Sequence, residues 1–339
     1  MTLRKPVLAL VGATSAVGRD LIERLAERRV PLERLRLLVA EVDDRQLPDS
    51  PDGVPTTLDL VSKDAFGGVD LAVFCDDPEI ARRYAPVAAD AGATVVDLTG
   101  GTLEEAGVAL VAPGITPPSA IAAAGRRLAL PPPAAGALAA ILAPLHAAAG
   151  VKRVVVSIYE AAATAGQAGL DELLDQVRGL LGQQEAPTRA FPEQLAFNVI
   201  PRTGPFTPEG DTEPERRLVA SLRRLLGIPD LRVAVTAARV TAFHGTSASV
   251  NVEFERPITP ADARTRLAAA PGVEVVDDPA EGRYPLGLDA AGQDFVLVGR
   301  IRADRSVPSG LSLWLSADDI RRGGAVAVVE VIEAIRQAA

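Results

Sequence analysis

Two kinds of hydrophobic pattern alternate over the first 130 residues. "PVLALVG" (6–12) is apolar without interruption, as a strand buried on both faces of a parallel sheet requires. "AVGRDLIERLAERR" (16–29) instead sets Val17, Leu21 and Leu25 on one stripe with charges opposite, the signature of an amphipathic helix. Further strands are predicted at 35–41, 56–61, 70–76, 94–100 and 108–114. A helix over 78–92 falls between two of them and ends at a glycine suited to a left-handed cap. Strand, helix, strand in this order predicts an α/β fold, a Rossmann-type doubly wound parallel sheet.

From about residue 152 the strand runs lengthen: "KRVVVSIYEAA", "RVAVTAARVTAF", "SASVNVEFER", "DFVLVGRIRA" and "GLSLWLSA". Helices are predicted only at 169–181, 213–226 and 259–270. Long strands with helices grouped between them predict an inserted α+β domain with a mostly antiparallel sheet. Between the two textures lies "LALPPPAAGALAAILAPLH" (128–146), where a strand hands over to a helix. Leu138, Ile141, Leu142 and Leu145 form its buried stripe, and Pro131, Pro132 and Pro133 sit where a helix tolerates proline, at a first turn whose N–H groups lack intrahelical partners. The last segment, 318–339, reads as a terminal helix buried through Val328, Val331, Ile332 and Ile335.

The chain of 339 residues is long enough for two cores. Its formal net charge of −9 argues against nucleic acid as the natural partner, since phosphate binding needs a basic face. No run approaches the ~20 apolar residues of a membrane span. The N-terminal apolar run is too short for a signal peptide, so no membrane association and a cytoplasmic location are expected. One cysteine, Cys75, excludes a disulfide framework and a thiolate zinc site, and with only two histidines, His146 and His244, no metal site is expected.

"VGATSAVG" (11–18) joins the first strand to the first helix. Gly12 allows the tight turn and Gly18 the close packing of helix on sheet. Thr14, Ser15, Ala16 and Val17 lie at a helix N-terminus able to receive a pyrophosphate. Ser15 stands where the middle glycine of the spacing belongs, and a plain strand–helix turn is the alternative reading. Beyond the second strand, Glu41, Asp43 and Asp44 repel a 2′-phosphate and leave the free ribose hydroxyl of NAD as the better fit, with Arg45 the only cation nearby.

"VGATSAVGRDLIERLAER", "ARRYAPVAADAGATVVDLTG", "LAPLH", "FPEQLAFNVIPRTGPF", "ARVTAFHGTSASVNVEFERPI" and "GLSLWLSADDIRRGGAVAVV" together resemble the aspartate-semialdehyde dehydrogenase family, over essentially the whole chain. The resemblance implies a dinucleotide-binding domain over 1–130 and 318–339 and a dimerisation domain over 131–317. It also implies a homodimer, and NAD or NADP as cofactor at the Gly12 turn, although no cofactor follows from the residues alone. That family interconverts aspartyl phosphate and aspartate semialdehyde through a cysteine thioester, with a histidine as acid–base.

Position by position, this chain departs from the pattern. The Asn-Pro-Asn-Cys-Ser/Thr motif falls on Leu130, Pro131, Pro132, Pro133 and Ala134, so the nucleophile position is Pro133; a slip of one or two residues gives Ala134 or Ala135. None of these forms a thioester. Counting from Arg239, the resemblance to the substrate-binding arginine puts Thr246 at the base position. His244 comes two residues early, about 6–7 Å away on an extended segment. The phosphate arginine becomes Leu103, the substrate-orienting glutamine Glu160, the Glu-x-x-Lys pair Pro214 and Arg217, and the cofactor asparagine Asp319. Such a pattern resembles the Usg-like branch of the family, which keeps the fold and "QLAFN" without the cysteine.

Three readings follow. In the first, the chain has no dehydrogenase activity and is a dimeric binding or scaffold protein. In the second, an NAD(P)-dependent oxidoreductase uses rearranged residues, with Cys75, His244, Glu160 and Arg239 as remnant candidates that must meet in one cleft. A relocated nucleophile at Cys75 competes there with a small buried hydrophobe, and His244 with a surface or interface histidine. In the third, the chain is a sensor that binds a small molecule or nucleotide without turning it over.

Overall fold

The computed structural model describes residues 4–41, 54 and 56–337. The chain divides into two compact units, Met1–Pro132 with Gly324–Ala339, and Pro133–Gly323.

In unit one, β1 (Val7–Val11), β2 (Arg34–Val39), β3 (Thr56–Leu60), β4 (Leu71–Phe74), β5 (Thr94–Asp97), β6 (Ala109–Leu110) and β7 (Arg127–Ala129) form a parallel sheet in the order β3-β2-β1-β4-β5-β7-β6. The helices are α1 (Ala16–Glu27), α2 (Pro78–Asp90), α3 (Pro118–Ala123) and, at the end of the chain, α9 (Val326–Gln337). Every residue of β1 is buried. Leu8 and Leu10 enter one core with Leu21, Leu25, Ile121, Val328 and Ile332 of α1, α3 and α9. Val7, Ala9 and Val11 enter the other with Tyr84, Ala85 and Ala88 of α2. The uninterrupted apolar strand thus divides its side chains between two layers of helices.

Two predicted elements are shorter than the sequence suggested. The strand expected over 108–114 pairs only at Ala109–Leu110. Pro113 has no N–H for a ladder, and the Ala112 amide donates to the Thr116 hydroxyl instead. The helix expected from 318 begins as a wide turn at Arg321–Ala325, and α9 proper opens at Val326. The Asp318 carboxylate takes the amides of Ile320, Arg321 and Gly292, which fixes the entry to that turn.

Unit two is a seven-stranded mixed sheet of β8 (Val151–Glu160), β9 (Val199–Ile200), β10 (Arg232–Val240), β11 (Thr246–Phe254), β12 (Val273–Val275), β13 (Val296–Ala303) and β14 (Gly310–Ala317). Their order is β12-β13-β14-β11-β8-β10-β9. β8 with β10 and β12 with β13 run parallel, and the other neighbours antiparallel. Its helices are α4 (Pro133–Ala149), α5 (Gly166–Leu181), α6 (Glu213–Leu226), α7 (Pro260–Ala268) and the short α8 (Gly287–Ala290). α4 packs against α6, α7 and four strands of the sheet. Its expected stripe is buried, and so are Ala135, Ala137, Ala139 and Ala140. A helix apolar on nearly every side belongs in a core.

Candidate functional site

The glycine turn of unit one keeps the shape of a phosphate cradle. Gly12 has φ +93°, and a Cβ there would lie 2.5 Å from Asp76 Cβ. A Cβ on Gly18 would lie 2.3 Å from the Gly12 carbonyl oxygen, so helix and turn pack with no room for a side chain. Ser15 caps α1, its hydroxyl accepting from the Gly18 amide at 3.0 Å. The Ala16 and Val17 amides open the helix, where no intrahelical acceptor exists, and Thr14 to Val17 are half-buried. In shape the turn fits a pyrophosphate. In charge it opposes one: Asp76 stands beside Gly12, its carboxyl pushed above the usual range by burial and by repulsion from Asp77. The sequence showed that carboxylate only as part of "CDDPE", and its proximity to Gly12 comes from the pairing of β1 with β4. Glu41 is exposed beyond β2, while Asp43, Asp44 and Arg45 lie outside the described residues.

Cys75 belongs to the core of unit one. Its thiol lies 3.3 Å from the Val11 carbonyl, 3.5 Å from that of Gly12 and 3.7 Å from the Ser15 hydroxyl. Burial pushes it up to about 12, against the smaller pull of Ser15, so the thiolate needed by a nucleophile is absent at neutral pH. These surroundings are those of a small buried hydrophobe rather than of an activated thiol. Leu103 is buried with Val108 and Ala129, with the half-buried Leu110 packed against them.

In unit two, Pro133 is the first residue of α4 and is half-buried. Gly323 packs flush against it: a Cβ on Gly323 would lie 2.5 Å from Pro133 Cβ. Ala134 is half-buried and Ala135 buried on the same turn. Proline and alanine thus open the helix, and none of Pro133, Ala134 and Ala135 carries a side-chain nucleophile.

The remaining positions gather at the ends of β8, β10 and β11. Glu160 and Arg239 are register partners on the parallel strands β8 and β10. Arg239 Nη2 donates to Glu160 Oε2 at 3.2 Å and Nη1 donates to the Thr164 hydroxyl at 3.0 Å. The guanidinium carbon also lies 5.3 Å from the centre of the Phe191 ring. Thr246 is buried, and its hydroxyl donates to Asp319 Oδ2. Asp319 feels Glu160, Asp318 and Arg239, so two carboxylates, Glu160 and Asp319, lean on the single charge of Arg239. Burial, with added repulsion from Glu160, pushes Asp319 up to about 7 despite the Thr246 bond. Glu160 is raised by burial and held down in part by Arg239 and Thr164, while burial lowers Arg239.

His244 is exposed in the link between β10 and β11 and takes no part in these bonds. Arg217 on α6 lies 4.0 Å from Glu213, and its Nε has no hydrogen-bond partner; Pro214 sits in the first turn of the same helix. His146, near the end of α4, accepts the Val151 amide at 3.0 Å, a structural cap. Among the described residues no group of acids, histidines and cysteine is arranged to hold a metal ion, and no helix is long and apolar enough to cross a membrane.

Sequence reasoning missed the frame behind Arg239. Glu172 of α5 accepts the amides of Arg189, Ala190 and Phe191, and Gln176 accepts those of Leu195 and Ala196. The two side chains fasten the 187–196 segment, and with it the Phe191 ring. Their spacing of one helical turn was the available signal.

Two family models match the chain: the semialdehyde dehydrogenase NAD binding domain over residues 7–124 and the semialdehyde dehydrogenase dimerisation domain over 142–322. The aspartate-semialdehyde dehydrogenase of Legionella pneumophila is 36% identical over 97% of this chain and 95% of its own length. That of Aquifex aeolicus is 33% identical over 96% of each chain. The crystal structure of aspartate semialdehyde dehydrogenase II from Vibrio cholerae superposes with a TM-score of 0.92 at 32% identity, covering 98% of this chain and 99% of that one.

Proposed function

Starting from the aspartate-semialdehyde dehydrogenase family, to which this chain belongs, we propose that it is a Usg-like member without the dehydrogenase reaction, acting as a dimeric binding or scaffold protein of the cytoplasm. The observation that carries this reading is Pro133 at the head of α4, packed against Gly323. A thioester needs a thiol on that turn, and the chain's one cysteine, Cys75, is buried in unit one with its proton held to about pH 12. Thr246 at the base position donates its proton to Asp319, and Leu103 at the phosphate-arginine position is wrapped in apolar side chains. Nucleophile, base and phosphate clamp are replaced together.

In this reading 1–130 with 318–339 serve as a dinucleotide-type domain and 131–317 as the dimerising one, although 318–323, with Asp318 and Asp319, belong to the second compact unit. Gly12, Thr14, Ser15, Ala16, Val17 and Gly18 would hold the pyrophosphate of NAD or NADP, which when bound supplies hydride transfer. The turn has the shape for it and Asp76 weakens the charge match. Rearranged catalysis loses ground because, of its candidates, Cys75 is inert, His244 is exposed, and Glu160 and Arg239 are spent on each other.

Intact-mass measurement after mixing the protein with aspartate semialdehyde and NADP tests the reading. An unchanged mass is expected; an acyl adduct overturns it. Light scattering is expected to give a dimer. Calorimetric titration with NAD, NADP and ATP then separates a nucleotide sensor, which gives saturable heat, from a scaffold, which gives none.

A further inference from the structure

We propose that Glu160 is a specificity-determining residue: it is a built-in carboxylate ligand of Arg239, and it closes that arginine to free carboxylates. The inference rests on the reading above only in taking the ends of β8, β10 and β11 as the ligand site of unit two.

Strand pairing itself sets the contact. Glu160 and Arg239 are the last register partners of two parallel strands, so their side chains leave the sheet side by side on the same face. The guanidinium is then fixed from three directions. Glu160 Oε2 takes Nη2 at 3.2 Å, the Thr164 hydroxyl takes Nη1 at 3.0 Å, and the Phe191 ring lies 5.3 Å from the guanidinium carbon. Glu172 holds the Phe191 backbone amide and those of the two residues before it, and the ring itself is buried in the core beside α5. Thr164 is anchored too, within reach of both Glu160 and the Ala161 carbonyl.

Arg239 and Glu160 retain 13% and 17% of their side-chain exposure, so a small anion can reach the pair from solvent. It must then displace a carboxylate already in place. A group fixed beside its partner by the fold acts at an effective concentration far above any millimolar free ligand. Asp319, about half ionised at neutral pH, adds a partial negative charge within electrostatic reach of Arg239 and repels an incoming anion further. An arginine of this kind is ordinarily a carboxylate receptor, because its planar fork matches two oxygens. Here the receptor carries its own ligand, and the site is left to neutral or cationic groups.

Binding of acetate and succinate to wild type, Glu160→Gln, Glu160→Ala and Glu160→Ala/Arg239→Met tests this, by calorimetry and by thermal melts against chloride at equal ionic strength. Wild type is expected to give no saturable response in the millimolar range. Glu160→Gln, which keeps the side-chain shape and frees the arginine of its charge partner, is expected to bind succinate at least tenfold more tightly than wild type. Acetate should raise the melting temperature of Glu160→Ala saturably, an effect lost when Arg239 is also removed. Equal carboxylate binding by wild type and Glu160→Gln overturns the proposal, whether or not Glu160→Ala folds. So does a folded Glu160→Ala indifferent to acetate. Turnover by the wild type would instead refute the absence of dehydrogenase activity and leave this binding test standing.

Discussion

Replacing Asp319 by asparagine should stabilise the protein at alkaline pH and leave it nearly unchanged in acid. Asp319 sits at about 7 in the folded chain, against 3.8 ordinarily, chiefly because burial and the nearby Glu160 disfavour its charged form. Below pH 3.8 both folded and unfolded states hold the proton, and this group's contribution to stability is fully present. As pH rises toward 7 the unfolded state ionises first, and the contribution is progressively lost. At about 1.4 kcal/mol per pH unit the loss reaches about 4 kcal/mol above pH 7. That figure is an upper bound, since solvent reaches part of the side chain. Asparagine still accepts the Thr246 hydroxyl bond, so the substitution removes the charge and keeps the contact. The assay is urea unfolding of wild type and Asp319→Asn from pH 4 to pH 8.5, followed by the fluorescence of Trp314. This is the chain's one tryptophan; it lies in unit two, stacked on Tyr159 at 5.5 Å between ring centres. The two proteins should diverge with rising pH, the variant being the more stable by one to several kcal/mol at pH 8.5. A gap independent of pH, or a variant less stable at pH 8.5, refutes the reasoning.

Gly323→Ala puts a methyl 2.5 Å from Pro133 Cβ, and should cost about 1–3 kcal/mol of stability by overpacking, measured as a shift in the urea midpoint. Cys75 in the native protein should react with a thiol reagent at pH 8 about a thousandfold more slowly than in urea, because a pKa near 12 rather than 9.0 lowers the thiolate fraction by that factor. Equal rates in the two states would place the thiol at the surface.

Elements whose signals are local were legible in the sequence. α6 spans 213–226 as read, because the Glu215 carboxylate accepts the Thr212 amide at the helix start, Pro214 fits the first turn and Gly227 ends the helix in the left-handed conformation. The run at 108–114 misled because Val108 and Ala112 are buried outside the strand that pairs at Ala109–Leu110, and Pro113 stops the ladder. The composition of 131–135 was equally plain, since three prolines and two alanines carry no side-chain nucleophile. The Glu160–Arg239 pair joins residues 79 apart and depends on β10 entering the sheet beside β8, which no local pattern encodes. The rise of Asp319 toward 7 comes first from burial and then from Glu160, and both depend on the folded assembly rather than on any local pattern.

The most direct test of the central claim is steady-state turnover. The purified protein is supplied with aspartate semialdehyde, NADP and phosphate, beside a cysteine-bearing dehydrogenase of the same family as positive control. With Pro133 at the head of α4 and no thiolate elsewhere among the described residues, reduction of NADP should not exceed the protein-free blank while the control turns over. Phosphate-dependent reduction that rises with protein concentration would contradict the account.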